Sequence, residues 1–255
     1  MTVDARRAVV VGGSRGIGRA TVLTLLGAGL EVVATGRDQA ALAELATAAA
    51  QPGPGGHLRT AVVDATDEEA TARLADEHQP VDVLVFNAGT SSAAPLARTS
   101  LEEWNRQLAV NATGAFLALR AFVPPMVERG RGRVVVVTST AALDGSPYVS
   151  AYAAAKHAAQ GLVRSVAAEV AGTGVTVNAV CPHFVRTDMT DATVARIERA
   201  TGRSEDEALA ELARTSRLGR LLEPQEVADA ILLLLDDAAA TVNGHALVLD
   251  GGGHW

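Results

Sequence analysis

The sequence predicts an α/β fold: a single domain (residues 1–255) built on a doubly wound parallel sheet of about seven strands, with helices on both faces. Three observations predict it. Short apolar runs alternate with helical stretches along the chain, the order that gives a parallel sheet with right-handed crossovers. The runs, such as Ala8-Val9-Val10-Val11, are apolar throughout instead of alternating with polar residues, as strands covered on both faces are. No proline- or serine-rich linker divides the 255 residues, of which 48% are hydrophobic, enough for one sizeable core.

Taken in order, residues 8–11 form the first strand. Gly12-Gly13-Ser14-Arg15-Gly16-Ile17-Gly18 follows, then a helix to about residue 28. Strand, glycine turn and helix together present backbone N–H groups and a helix N-terminus to a phosphate. Residues 31–35 read as a strand, 39–50 as a helix, and 51–56 as a Pro/Gly turn. The third strand covers 58–63 and ends at Asp64. A helix over 67–78 and a strand over 81–86 lead to Asn87-Ala88-Gly89. Residues 101–128 are helical on both sides of Asn111, with Pro124-Pro125 expected to distort the end. Strands follow at 133–138 and 175–180. Between them, 149–170 reads as one long helix, rich in alanine, free of proline, and apolar at Leu162, Val163, Val166 and Val170. A long insertion over 187–220 precedes a helix at 224–235 and a closing strand at 246–249.

Composition narrows the function. A net charge of −7 argues against non-specific nucleic-acid binding. One cysteine excludes an intrachain disulfide and points to a reducing compartment. The first apolar run is too short for a signal peptide, and no apolar run approaches the ~20 residues of a membrane span. A soluble, cytoplasmic protein is expected.

The chemistry centres on Tyr152-Ala-Ala-Ala-Lys156. Four residues is about one helical turn, so the two side chains project from one face. A phenol ordinarily loses its proton near pH ~10, and a neighbouring ammonium lowers that value. Such a Tyr exchanges a proton with a substrate oxygen near neutral pH. Alone, the pair also fits a helix surface carrying one Tyr and one Lys. Its neighbours are Ser139, thirteen residues before Tyr152, the 12–18 glycine turn, Asn87-Ala88-Gly89 and Asn111. In this order and spacing they resemble the short-chain dehydrogenase/reductase family over nearly the whole chain, and in particular its 3-oxoacyl reductases and aromatic polyketide ketoreductases. The glycine spacing is the G-x-x-x-G-x-G of that family.

The resemblance implies a Rossmann fold with four catalytic residues. Tyr152 is the general acid for reduction, and Lys156 lowers its pKa and holds the nicotinamide ribose. Ser139 hydrogen-bonds the carbonyl oxygen, with Thr138 and Thr140 as flanking hydroxyls, and Asn111 keeps its helix locally open and supports a water chain to Lys156. It also implies a cofactor site. Gly12, Ser14, Arg15, Gly16, Ile17 and Gly18 lie on the pyrophosphate side, Asp64 at the adenine, Asn87 and Gly89 along the cleft, and Val185 and Thr187 at the nicotinamide carboxamide. Tyr152 and Lys156 belong to both sets. Asp64 also fits a helix cap or turn. An acid at the end of the second strand would bind a ribose 2′-OH and repel a 2′-phosphate. Here stand Gly36 and Arg37, and Arg suits bidentate phosphate binding, with Arg15 placed to share it. NADPH/NADP+ is the expected cofactor. Asp38 dissents, although it also fits an N-cap.

Three positions depart from the family: Val11 for the usual Thr, Phe86 for a common Asn, and His183 for glycine. His183 fits either substrate contact or packing. Cys181 and His183 lack further ligands at metal spacing, so no metal is expected, and no G-x-S-x-G elbow supports a hydrolase. The 187–220 insertion is expected to form a substrate lid. Its Arg196, Arg199, Arg203, Arg214, Arg217 and Arg220 fit either a solvated helix or a basic mouth for a phosphorylated carrier arm. Arg129, Arg131 and Arg133 form a second basic cluster.

The leading expectation is NADPH-dependent reduction of a ketone, as a 3-oxoacyl thioester or polyketide, free or bound to CoA or a carrier protein. The alternative is oxidation of a 3-hydroxyacyl-CoA or another secondary alcohol. A non-catalytic cofactor-binding regulator is disfavoured, because Tyr152 and Lys156 are both present. Family members are mostly tetramers, implying a homotetramer built through the 101–128 and 150–171 helices and the C-terminus, with 251–255 near a neighbour.

Overall fold

A computed structural model of the chain describes residues 7–50 and 56–253. Most of the turn expected at 51–56, and the last two residues of 251–255, lie outside them. Among the described residues one sheet of seven strands forms: β1 (Arg7–Val11), β2 (Glu31–Gly36), β3 (Leu58–Val62), β4 (Val83–Phe86), β5 (Gly132–Val137), β6 (Val175–Pro182) and β7 (Ala246–Leu249). The order is β3-β2-β1-β4-β5-β6-β7 and every neighbouring pair is parallel. Val11 pairs with both Thr35 and Phe86, and Phe86 with Val136, so the carboxyl ends of β1, β2, β4 and β5 lie level. The direction of winding reverses between β1 and β4, where such sheets open a ligand crevice.

The helices are α1 (Gly16–Gly27), α2 (Gln39–Ala49), α3 (Glu68–Glu77), α4 (Leu101–Leu108), α5 (Gly114–Glu128), α6 (Ser150–Glu169), α7 (Asp188–Thr201), α8 (Glu205–Thr215) and α9 (Pro224–Leu235). Successive strand residues point to opposite faces, which splits the core in two. Val9, Leu84, Val134 and Val177 pack with Leu74, Phe122, Met126 and Val163 of α3, α5 and α6. Val10, Val85, Val135 and Val180 pack with Leu25, Leu45, Ile231 and Leu235 of α1, α2 and α9. Each such side chain, fully buried, contributes roughly 1.5–3 kcal/mol.

Local signals set the helix ends. Asp38 caps α2 by accepting from the amides of Ala40 (2.9 Å) and Ala41 (3.1 Å), and Asp67 caps α3 from Ala70 (2.9 Å). Pro124 and Pro125 lie inside α5, which runs on to Glu128 although neither has an N–H to donate to the helix ladder. The buried Phe122, Val123 and Met126 hold that turn against the sheet. α4 and α5 join through a π-helical turn, Ala109–Thr113. The composite 101–128 helix is long and apolar enough to cross a membrane, which single-run hydropathy did not reveal, but half of its apolar window is buried within the protein. The 187–220 insertion is a helix pair, α7–α8. It has a small core of its own from Val194, Ala208, Leu212 and Leu221.

Candidate active site and nucleotide cleft

Strand β5 ends at Val137 and delivers three consecutive hydroxyls, which the fold sends to different places. Thr138 is buried and points to Gln160 (3.3 Å) and to the Cys181 sulfur (3.0 Å). Thr140 pairs with His183 Nδ1 at 3.0 Å. Ser139 alone is left facing the Tyr152 phenol, and its Oγ accepts from the Ala141 amide at 3.2 Å.

Tyr152 and Lys156 lie one turn apart on α6. Lys156 is buried, and its Nζ donates to the Val137 carbonyl at 3.0 Å and lies 5.9 Å from the Tyr152 ring centre. Burial lowers the ammonium pKa to about 8. Burial also pushes the Tyr152 phenol above its ordinary value, with the Ser139 hydroxyl acting the other way. This is opposite to the lowering expected from Lys156. The ammonium is committed to a backbone carbonyl, while desolvation penalises the phenolate.

Asn111 sits in the π-helical turn, where the widened ladder opens the helix. Its Nδ2 donates to the carbonyls of Thr90 (2.9 Å) and Gln107 (3.0 Å), and its Oδ1 accepts from the Thr90 amide (3.3 Å). A Cβ added at Gly89 would lie 3.0 Å from Asn111 Oδ1 and 3.5 Å from Lys156 Nζ, so both polar groups open onto one small space. Sequence reasoning missed the support behind Asn111. Buried Gln107 accepts from Asn111 Nδ2 through its Oε1 (3.0 Å) and donates to Glu103 (2.7 Å). Arg106 holds the Glu103 carboxyl down to about 2. The spacing of 103, 107 and 111 on one helix face is the signal that was available.

A cleft of about 510 Å³ opens at the carboxyl ends of β1–β4. Gly12, Ser14, Arg15, Gly16, Ile17, Arg37, Asp64, Asn87, Gly89 and Thr187, all expected at a cofactor site, line it. Asp38, weighed there as the dissenting residue, lines it too, as do Val110, Asp188 and Met189, which were not foreseen there. Gly18 and Val185 lie behind the wall. A Cβ at Gly18 would run into the Gly12 carbonyl oxygen, and Val185 is buried in a bridge to Leu222. Gly12 has φ +80°, and a Cβ there would sit 2.6 Å from the Ala88 amide nitrogen, so only glycine fits the turn. Asn87 Nδ2 donates to the Gly12 carbonyl at 2.8 Å, tying β1 and β4 together.

At the rim of the cleft beside β2 and β3, acids hold both arginines. Arg15 is paired with Asp38 and lies 3.7 Å from Asp188, while Arg37 lies 3.8 Å from Asp64. Asp38 is thus both the helix cap and an ion-pair partner. Asp64 closes a turn by accepting from the Thr66 amide (2.9 Å) and hydroxyl (2.8 Å), bonds that pull its carboxyl below the usual range.

Of the two basic features, one lies away from the site and the other is partly ion-paired. Arg129, Arg131 and Arg133 lie at the amino end of β5, the opposite end of the strand from Ser139. Arg129 bonds Gln79 (3.0 Å) and the Val81 carbonyl, Arg131 lies 3.9 Å from Asp82, and Arg133 reaches Asp237 (3.2 Å). In the insertion, Glu211 takes Arg203 (3.5 Å) and Arg214, and Glu226 of α9 takes Arg220 (2.7 Å). Cys181 and His183 turn to different partners, and among the described residues no group of three His, Cys, Asp or Glu side chains is placed to hold a metal.

A level-ended parallel sheet, a glycine turn at its winding reversal and a Ser–Tyr–Lys–Asn group beside it define a nucleotide-binding oxidoreductase scaffold. The chain belongs to the short chain dehydrogenase family, whose profile matches residues 6–198. It is 35% identical over 254 residues to a 3-oxoacyl-[acyl-carrier-protein] reductase of Synechocystis sp., covering 98% of this chain and 97% of the relative. It is 32% identical over 252 residues to a D-beta-hydroxybutyrate dehydrogenase of Rhizobium meliloti, covering 97% and 98%. Among solved structures, a substituted actinorhodin polyketide ketoreductase with NADPH superposes with a TM-score of 0.91 at 32% identity, covering 100% and 99%.

Proposed function

We propose that this oxidoreductase reduces a ketone with NADPH, the ketone being a 3-oxoacyl thioester or a polyketide of similar shape. The observation that carries the reading is the Tyr152 phenol beside the Ser139 hydroxyl, one helical turn from the buried Lys156. A phenol and a hydroxyl side by side can protonate and hydrogen-bond one carbonyl oxygen, the roles reduction requires. The glycine turn, whose close approaches leave no room for a Cβ, and the cleft beyond it fit a dinucleotide. Gly36 places no carboxylate at the end of β2. A Cβ there would lie 2.8 Å from Ser14 Oγ, and Arg15 and Arg37 flank the position to meet a 2′-phosphate. The polyketide ketoreductase solved with NADPH supports this choice.

When bound, the dihydronicotinamide supplies hydride to the carbonyl carbon. Ser139 donates a hydrogen bond to the carbonyl oxygen and steadies the charge growing there. Tyr152 gives that oxygen its proton, so ketone, hydride and proton yield a secondary alcohol. Lys156, opening onto Gly89 with Asn111, returns a proton from solvent to the phenolate. The α7–α8 pair covers the substrate as a lid. Leu101, Trp104 and Phe116 are exposed on α4–α5 and are the apolar surface a homotetramer would cover.

The oxidative reading on a 3-hydroxyacyl substrate is favoured by one observation, the D-beta-hydroxybutyrate dehydrogenase relative. The deciding assay offers a 3-oxoacyl-CoA, its short pantetheine analogue and a plain cyclic ketone with NADPH, at low and high salt, and the matching alcohols with NADP+ and NAD+. Reduction that prefers the thioesters supports the proposal. Preference for alcohol with NAD+ supports the alternative. A carrier-arm contact with Arg196, Arg199 or Arg217 weakens with salt, being screened over ~8–10 Å.

A further inference from the structure

His183 occupies the position where glycine is usual, and its ring spans two parts of the molecule. Nδ1 meets Thr140 Oγ1 at 3.0 Å and Nε2 meets Thr215 Oγ1 at 2.8 Å. Thr140 opens the single turn that follows Ser139, and Thr215 is the last residue of α8. The hydrogen positions follow from the acceptors. The Thr215 hydroxyl donates its one hydrogen to the Leu212 carbonyl at 2.6 Å, so towards His183 it accepts. Nε2 therefore carries the proton. In the neutral ring Nδ1 is then the acceptor, and Thr140 donates to it. The Thr140 hydroxyl is thereby held by the ring, and the turn that holds the Ala141 amide on Ser139 Oγ is anchored. The edge of the His183 ring also meets Phe184, centroids 4.9 Å apart, and Phe184 packs on the α7–α8 core.

We propose that His183 is a positioning residue that couples the α7–α8 helix pair to Ser139, its Nδ1 end setting the serine turn and its Nε2 end setting the helix pair. This rests on the reading of Ser139 as the group that bonds the ketone oxygen. The two ends affect different constants. Slack in the serine turn lowers kcat, because Ser139 acts on charge that develops in the transition state. Slack in the helix pair weakens ground-state capture of the ketone and raises its KM.

Amide side chains separate the two ends. His183→Asn places an acceptor near the Nδ1 position and keeps only the Thr140 bond. His183→Gln reaches the Nε2 position and keeps only the Thr215 bond. The experiment measures kcat and ketone KM for both variants and for His183→Gly, with the melting temperature and NADPH affinity by fluorescence titration. Asn is expected to keep kcat within about twofold and raise KM roughly fivefold, Gln to do the reverse, and Gly to show both losses. NADPH affinity is expected to stay within about twofold throughout. Thr215→Val and Thr140→Val should reproduce the KM and kcat effects from the partner side, so the test survives a His183 variant that fails to fold. Indistinguishable Asn and Gln variants, or Gly with wild-type constants, overturn the coupling. Losses that follow melting temperature alone also overturn it, since they mark a purely structural residue. Full turnover in Ser139→Ala would instead overturn the ketone-oxygen reading, a separate outcome.

Discussion

Helix α6 and the α7–α8 pair face the same end of the sheet but hold their polar groups differently. On α6, Lys156 is buried, bonded to a strand carbonyl and shifted in pKa by its surroundings. On α7–α8, Arg203 and Arg214 sit at the surface on a shared glutamate. Buried groups held by several elements have one geometry and altered chemistry. Exposed ion pairs have many geometries and contribute ~0–1 kcal/mol. Function is therefore expected to be sharply sensitive on α6 and tolerant on the helix pair.

The largest expected effect is at Tyr152. Tyr152→Phe removes the proposed acid at the ketone oxygen and should cut turnover roughly 10³-fold or more, while fluorescence titration still shows NADPH binding. Near wild-type turnover would break the comparison at its strongest point.

Lys156 gives the next effect, read as stability against pH. Its folded pKa of about 8 lies below the ordinary 10.5, so the unfolded chain binds more protons between those values. Wild-type stability from this residue is therefore absent below pH 8 and gained as pH rises towards 10.5. Lys156→Met lacks this gain. Denaturant titrations of both proteins at pH 7 and pH 10.5 should show wild type gaining on the variant by ~3 kcal/mol. A constant difference would mean that the ammonium is not desolvated.

At the rim of the cleft the effect should be smaller. Arg37→Ala is expected to raise the NADPH KM roughly tenfold and leave NADH nearly unchanged. Equal losses for both cofactors would place Arg37 away from the 2′-phosphate, tied to Asp64. Smallest of all, Arg203→Ala combined with Arg214→Ala should change kcat/KM for a 3-oxoacyl-CoA by less than about twofold at any salt concentration. A tenfold, salt-sensitive loss would restore the basic mouth and remove the contrast between the two regions.

The same contrast governs what could be read from the sequence. The strands, their parallel doubly wound sheet and the motif residues at the strand ends follow from apolar runs and motif spacing, which report on buried, crowded positions, while the helix opening at Asn111 came from the family resemblance. Tyr152, Lys156, Ser139 and Asn111 come together because each lies at a strand end or on a helix face fixed by the core. Pair partners at the surface were not legible. Nothing in the order of residues shows that Arg129 is absorbed by Gln79 and the Val81 carbonyl at the far end of β5, or that Glu211 takes two arginines of the insertion. The direction of the Tyr152 shift was also hidden, because it depends on desolvation, a property of the packed molecule. His183 was visible as a departure from the family, yet its two threonine partners are 43 residues before it and 32 after it.

The central claim is tested most directly by mixing the purified wild-type chain with a 3-oxoacyl thioester and either NADPH or NADH, following cofactor consumption and alcohol formation together. The account predicts one alcohol formed per NADPH consumed, with kcat/KM for NADPH at least roughly tenfold above that for NADH. Equal use of NADH, or no reduction of any ketone by a chain that oxidises the matching alcohol with NAD+, would contradict it.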